Sequence, residues 1–324
     1  MDAKTFEPGQ AAPLLATPDC AFPPGTEAVW YEGVGGLPMR AAYAPADKPR
    51  GSVVLSPGRT EPIEKYVEVV DELVARGFCV LVHDWRGQGR SSRLLGDRLK
   101  GHADGYDDFV EDFRRLVAQF EDRLPHPRIA LGHSMGGCLT LTVLARQIGG
   151  FDAAILSAPM LGLNTGSTPA GLARFMAKTL TALGRGGDYV LGQVTDPYST
   201  TFEADQLTHD RARYERTRRQ ILADRDLALG NLTWGWLASA FRATGWLHTA
   251  PEVTRIEIPL VVLGAELDRL INNADQKFVT ARVPGARYVE VKGAFHEILM
   301  ETDDIRAQFW REFDALAELA AAKA

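Results

Sequence analysis

The chain has 324 residues, 45% hydrophobic and 24% charged, with a formal net charge of -6 at pH 7, proportions that argue against a disordered or fibrous chain. A pI near 5.7 argues against bulk electrostatic attraction to nucleic acid or anionic lipid. The odd set Cys20, Cys79 and Cys138 has no metal-ligand spacing, which argues against a disulfide framework or a zinc site and fits a reducing compartment.

Residues 1–27 form a Pro-rich lead without a basic segment followed by an apolar run, and no later stretch is long enough to span a bilayer. The expectation is a cytoplasmic protein, at most peripherally attached to the inner membrane. Residues 28–44 read as two short strands around Gly33-Val34-Gly35-Gly36, an antiparallel edge hairpin. Short apolar runs follow at 52–56, 78–82, 129–131, 153–156, 260–263 and 288–291. Most lack alternation, which suits parallel strands buried on both faces.

Amphipathic segments lie between these runs. Ile63, Tyr66, Val67, Val70, Leu73 and Val74 share one helical face, and Gly77 supplies a stop. A second stripe runs from Tyr106 to Phe120, with acids early and arginines late, the order that the helix dipole favours. Strand and helix therefore alternate, which predicts an α/β fold with a mostly parallel central sheet and helices on both faces. Between residues 160 and 250 helical patterns follow one another without a strong strand, and we read this segment as a helical cap inserted into the core of 28–159 and 251–324. A turn is expected at Gly184-Arg185-Gly186-Gly187.

The strand Ile129-Ala130-Leu131 runs into Gly132-His133-Ser134-Met135-Gly136-Gly137, and a helical segment follows. This is Gly-x-Ser-x-Gly in a strand, turn and helix context, where a strained turn projects the serine hydroxyl and glycines admit close backbone approach. The competing reading is a serine that merely caps the helix. A serine nucleophile needs a base and an acid that orients the base, in the order Ser, Asp or Glu, His for this fold. Asp268 follows the 260–263 strand, with Glu266 and Asp275 as competing carboxylates, and His296 follows the last strand. His133 is beside the nucleophile but points away if strand alternation persists. His83 and His102 read as structural hydrogen bonders, while His126, His209 and His248 lie elsewhere in loops and cap. The expected oxyanion donors are the backbone N–H groups of Met135 and Arg59, the latter in Ser56-Pro57-Gly58-Arg59-Thr60-Glu61, where an ordinary Pro-Gly turn is the alternative.

With these residues in view, the chain resembles lysophospholipases of the bacterial L2 type, close to monoacylglycerol lipases and grouped with serine aminopeptidase-like hydrolases of the α/β-hydrolase fold. The likeness runs over about residues 30–313. It is carried by Pro57-Gly58-Arg59-Thr60-Glu61 with Lys65-Tyr66, Asp84-Trp85-Arg86-Gly87-Gln88-Gly89-Arg90-Ser91, Gly132 to Gly137, Ala158-Pro159-Met160, and Gly293-Ala294-Phe295-His296-Glu297-Ile298-Leu299. It implies Ser134, Asp268 and His296 as the triad, a cap over an acyl pocket, and hydrolysis of a single-chain lipid ester, lysophospholipid or monoacylglycerol. Monoacylglycerol lipases usually carry His-Gly where this chain has Pro57-Gly58, which favours the lysophospholipase-like branch.

Trp234 and Phe241 share one helical face and Trp236 lies nearly opposite, so these aromatics either line an acyl pocket or pack inside the cap. Arg211, Arg213, Arg216, Arg218, Arg219 and Arg225 form either a solvated face paired with Asp210, Glu215 and Asp224 or a phosphate-binding rim. Two further readings stand beside the esterase. A peptidase releasing N-terminal residues would need cap carboxylates such as Glu203, Asp205 and Asp210 to hold a free amine, and a non-catalytic ligand-binding protein would retain the fold alone. No metal, organic cofactor or nucleic acid partner is implied, and oligomeric state is not legible.

Overall fold

In this computed structural model, which describes residues 6–15, 17, 21–190, 196–205 and 207–323, the apolar runs become strands of one sheet. They are β1 (Glu27–Glu32), β2 (Pro38–Ala44), β3 (Gly51–Ser56), β4 (Phe78–His83), β5 (Arg128–His133), β6 (Ala153–Ser157), β7 (Leu260–Ala265) and β8 (Arg287–Val291). The spatial order is β1-β2-β4-β3-β5-β6-β7-β8. The hairpin of β1 and β2 joins antiparallel to β4, and every other pairing is parallel. The strands β3 to β7 are buried along their whole length, consistent with apolar runs that do not alternate.

Helices cover both faces. On one side α1 (Val67–Ala75) and α9 (Asp303–Ala321) set Val70 and Leu73 beside Phe309 and Phe313. On the other, α2 (Asp107–Gln119), α3 (Met135–Ala145) and α8 (Asn273–Thr280) contribute Phe113, Leu139 and Val279 to the second core layer. The stop expected at Gly77 is a left-handed residue with φ of 84°, where a side chain would be strained.

The lead is partly structured. Gly9 N–H donates to Trp30 O at 2.8 Å, Trp30 N–H to Gln10 O at 2.9 Å and Ala12 N–H to Ala28 O at 2.8 Å. Residues 9–12 thus cover the free edge of β1, which would otherwise offer unpaired backbone groups. Arg40 of β2 is fully buried and binds both oxygens of Glu64 at 2.8 Å, Asp84 at 2.7 Å and Pro13 O at 2.8 Å, which ties the lead to the sheet. Cys79 and Cys138 are buried free thiols, and Cys20 lies outside the described residues.

Between β6 and β7, residues 158–259 hold α4 (Ala170–Leu180), a π turn (Thr181–Arg185), α5 (Phe202–Asp205), α6 (Arg211–Ala223) and α7 (Trp234–Thr249). The expected turn is there, with Gly184 at φ of 78°. This segment rests on loops at the carboxyl edge of the sheet. Gln220 Nε2 donates to Glu64 O at 2.9 Å, Glu297 N–H to Leu207 O at 3.0 Å, and Thr208 Oγ1 to Met300 O at 2.6 Å.

Successive strands step outward to opposite sides of β3, since β4 lies on one side and β5 on the other. The crevice between the ends of β3 and β5 is therefore the topological switch point, where doubly wound sheets place ligands. Gly136 closes its floor. A methyl group there would collide with the backbone oxygens of Ser56 and Pro57, and one at Gly137 would lie 2.6 Å from Pro159 Cβ. Gly136→Ala should accordingly destabilise the fold by about 3 kcal/mol. Gly171→Ala, which faces open space on α4, should change stability by no more than about 1 kcal/mol; denaturant unfolding of both variants checks the contrast.

Candidate active site

Ser134 sits at the end of β5 with φ of 51° and ψ of -118°, a strained backbone for a residue with a side chain. The strain is held from both sides, because Ser134 N–H donates to Ser157 O at 3.1 Å and Ser134 O accepts from Cys138 and Met160 N–H at 3.1 and 2.8 Å. From residue 127 to residue 145 Ser134 alone is not buried. Its side chain makes no capping hydrogen bond to α3, so the helix-capping alternative has no support in the geometry. The hydroxyl is free to meet a base.

That base is within reach. Ser134 Oγ lies 2.9 Å from His296 Nε2, and His296 Nδ1 lies 2.7 Å from Asp268 Oδ2. A carboxylate accepts only, so Nδ1 carries the proton and Nε2 is left to accept from the serine. The other Asp268 oxygen accepts from Leu270 and Ile271 N–H at 2.9 and 3.0 Å. Burial alone would raise the Asp268 pKa, but the imidazole and these two N–H groups hold it below the ordinary carboxylate range. For His296, burial lowers the pKa and the Asp268 charge outweighs it, for a net rise above 6.5. The competing carboxylates are occupied elsewhere: Glu266 binds Lys292 and Gly293 N–H, and Asp275 lies 3.8 Å from His248.

The turn after β3 closes against the serine. A side chain on Gly58 would come within 3.1 Å of Ser134 Cβ. Gly58 N–H donates to Glu61 at 2.5 Å, Thr60 N–H to Gln88 Oε1 at 2.8 Å, and Gln88 Nε2 to Gly58 O at 3.2 Å. Trp85 Nε1 donates to Pro57 O at 2.8 Å. Arg59 N–H thus stands between two committed N–H groups, and Met135 opens α3, so its N–H has no acceptor inside the helix. Glu61 also accepts from Tyr66 O–H at 2.6 Å and Lys65 Nζ at 2.8 Å, and Lys65 reaches Glu297 at 2.5 Å. Burial opposes the Glu61 charge, yet Lys65 and His133 hold its pKa at about 2.

Gln88, Trp85, Glu61 and Glu297 carry no assigned role in the sequence reading. They lie inside its marker stretches, but their work shows only once β4 is set beside β3. His133 corrects an expectation. Its ring lies 4.9 Å from that of His296 and its Nε2 lies 3.6 Å from Glu61, because the strand ends at this residue and alternation no longer governs it. His209, in the inserted segment, bonds to buried Glu301 at 2.8 Å and stacks on Phe295 at 3.9 Å, clipping that segment to the His296 loop. His83 bonds Ser56 at 3.3 Å and His102 bonds Thr233 at 2.8 Å, both as structural partners.

A cavity of about 250 Å³ opens beside the site, lined by Arg59, Lys65, Arg213, Arg218, Leu229 and Glu297 among others. Of the two readings for Trp234 and Phe241, pocket wall or packing inside the inserted segment, the structure places them in the packing arrangement. Both are buried against Ala173 and Ala177 of α4, because α7 needs that face to hold α4. Trp236 instead borders a small void of about 10 Å³ beside Met135 and Arg59. The arginine row is in part the paired, solvated face, with Arg213 on Asp210, Arg218 near Glu215, and Arg211, Arg219 and Arg225 exposed, and in part a bridge to α1. Arg213 and Arg216 reach across to Glu68 of α1, Arg211 pairs with Glu203, Asp224 pairs with Arg90, and Arg219 is exposed. Among the described residues, no group of three or more histidine, cysteine or carboxylate side chains is arranged to hold a metal ion.

A family model described as serine aminopeptidase, S33 matches residues 47–303. The chain is 34% identical over 289 residues to lysophospholipase L2 of Escherichia coli, covering 86% of this chain and 83% of that protein. It is 32% identical to a monoacylglycerol lipase of Mycolicibacterium smegmatis, with 84% and 91% covered. Among solved structures, a carboxyl esterase from Bacillus coagulans superposes with a TM-score of 0.73 at 18% identity, covering 91% of this chain and 99% of that one. A monoacylglycerol lipase from Paleococcus ferrophilus superposes with 0.65 at 22%, covering 88% and 99%. With the family model spanning most of its length and its sheet shared with those hydrolases, the chain belongs to the serine aminopeptidase S33 family and has the α/β-hydrolase fold.

Proposed function

We propose that this protein is a serine carboxylester hydrolase that cleaves a single-chain lipid ester, a lysophospholipid or monoacylglycerol, through an acyl-enzyme on Ser134. The observation that carries the reading is the unbroken hydrogen-bond chain from Ser134 through His296 to Asp268, with the nucleophile in a strained elbow. The similarity to lysophospholipase L2 and monoacylglycerol lipase supports the lipid ester as substrate. Ser134 Oγ attacks the ester carbonyl as its proton passes to His296 Nε2. The N–H groups of Met135 and Arg59 stabilise the oxyanion. The tetrahedral adduct collapses, the glycerol-side alcohol leaves with the proton from His296, and water activated by the same histidine frees the fatty acid. Residues 160–250 serve as the cap over this site.

The peptidase reading fits the charges poorly. Glu203 and Asp210 are committed to Arg211 and Arg213, and Glu297 in the cavity is bonded to Lys65; the side chain of Asp205 lies outside the described residues. An ammonium group would enter a cavity lined by Arg59, Lys65, Arg213 and Arg218.

Substrate delivery is proposed at a lipid surface. No helix among the described residues is long and apolar enough to cross a membrane. On α4 and the following turn, however, Leu172, Phe175 and Leu183 are 50%, 65% and 71% exposed, with Arg174 and Lys178 between them and no acid from residue 161 to 187. An apolar face with basic flanks suits peripheral docking on the cytoplasmic side of a membrane that contains anionic lipid.

Ser134→Ala should abolish fluorophosphonate labelling and lower turnover by up to about a millionfold; labelling retained at this site in the folded variant would reject the nucleophile. The base must be neutral to accept a proton, so the raised His296 pKa places the acid limb of the kcat/KM profile above pH 6.5. In Asp268→Asn the raising charge is gone and burial pulls the other way, so the limb should move to lower pH while kcat drops by orders of magnitude. A limb that stays fixed would show that Asp268 does not set the base. Replacing Leu172 and Phe175 by Asp should lower sedimentation with phosphatidylglycerol–phosphatidylethanolamine vesicles by about tenfold or more, with turnover of a water-soluble short-chain ester retained; unchanged sedimentation would reject α4 as the docking face.

A further inference from the structure

Two of the cations on the cavity are closely paired with carboxylates. Lys65 is held by Glu61 and Glu297, and Arg213 by Glu68, Asp210 and Asp303. Arg59 differs. Its guanidinium reaches inward, donates from Nη1 to Gly230 O at 2.8 Å and lies 5.7 Å from the Trp236 ring, and among the described residues no carboxylate lies within 4 Å of it. Burial without an anionic neighbour draws its pKa down to about 10, so it stays charged at neutral pH. A desolvated cation normally has an anion beside it, because its lost hydration is otherwise uncompensated. Here the space beside it is the cavity. The same cavity is bordered by Arg218, whose carboxylate neighbour among the described residues, Glu215, is 3.7 Å away.

We infer that this cavity is an anion subsite that takes the phosphate diester of a lysophospholipid headgroup, with the Arg59 guanidinium as its inner ligand and Arg218 at its outer wall. The inference rests on Ser134 as the nucleophile for a lipid ester. One residue then serves both ends of the substrate: the Arg59 backbone N–H faces the ester oxygen, and its side chain extends about as far as the glycerol carbons that separate ester from phosphate. A planar guanidinium is matched to two phosphate oxygens.

The test compares kcat/KM for lysophosphatidylethanolamine and monoacylglycerol of equal chain length, with fluorophosphonate labelling rate as a check on the folded site. The expected result is that the lysophospholipid-to-monoacylglycerol ratio falls about tenfold or more in Arg59→Gln, recovers in part in Arg59→Lys, and falls by a smaller factor in Arg218→Gln. Arg219→Gln, at an exposed position, should leave the ratio as it is. Glycerol 3-phosphate should inhibit monoacylglycerol hydrolysis competitively in the wild type, and more weakly in Arg218→Gln. An equal loss on both lipids in Arg59→Gln, together with an unmoved ratio in Arg218→Gln, would assign a structural role to the arginine and overturn the subsite. Inhibition by inorganic phosphate as strong as that by glycerol 3-phosphate, with the ratio unmoved, would assign a free-anion site and also overturn it. If the wild type labels with fluorophosphonate but hydrolyses neither lipid, the lipid ester reading fails and the subsite with it; activity on both lipids with a ratio insensitive to Arg59 and Arg218 removes the subsite alone.

Discussion

The rest of the site depends on the contact between the Gly136 backbone and the carbonyls of Ser56 and Pro57. With no side chain at that point, α3 can start directly beneath the turn that follows β3. Two loops that leave the sheet in opposite directions are thereby pressed together at the switch point. The strained Ser134 backbone is then the only route from β5 into α3, and the hydrogen bonds to Ser157 and Met160 prevent its relaxation. The Arg59 turn is equally constrained from behind, since Trp85 and Gln88 of the next loop grip its carbonyls and the N–H of Thr60. A site in which rigid neighbours position the reacting groups needs little reorganisation during reaction.

Charge is buried in this fold more than its average composition suggests. Arg40 with Glu64 and Asp84 joins the lead, the sheet and the start of the first helix, and Glu61 with Lys65 and Glu297 joins the turn after β3 to the His296 loop. Such pairs are costly to desolvate and stabilise only when hydrogen bonds meet the charges. Here Glu61 accepts from Gly58, Lys65 and Tyr66, and Arg40 binds both oxygens of Glu64. Their effect is directional: a carboxylate that must meet a given N–H, lysine and phenol at once tolerates little displacement of the loops that carry them. Arg59, which has no carboxylate within 4 Å among the described residues, stands apart within the same region.

Much of the core was legible because burial on both faces leaves a plain mark. Runs such as Val53-Val54-Leu55 and Val261-Val262-Leu263 do not alternate, and each forms a buried strand with parallel neighbours, β3 against β4 and β7 against β8. The Ser134 elbow was legible for a similar reason, since its glycines, serine and following helix must be adjacent in sequence. Relations between distant segments were not. His133 departs from alternation because its strand stops there, and Arg216 faces Glu68 because α6 lies across α1. An aromatic stripe cannot say which helix it packs on, so Trp234 and Phe241 read equally as pocket wall or as α4 contact. Residues 9–12 carry no strand pattern because they borrow their pairing from β1.

The insertion between β6 and β7 has a consequence for the order of synthesis. Ser134 precedes the inserted residues, whereas Asp268 and His296 follow them, and His296 comes only after β8. A nascent chain that extends only through β6 therefore holds Ser134 without the two residues that extend its hydrogen-bond chain in the complete fold. Synthesis next adds α4, the segment with the exposed apolar face, still ahead of β7. The apolar face of α4 is thus synthesised before the Ser134–His296–Asp268 hydrogen-bond chain can form, since that chain is completed only with the loop after β8.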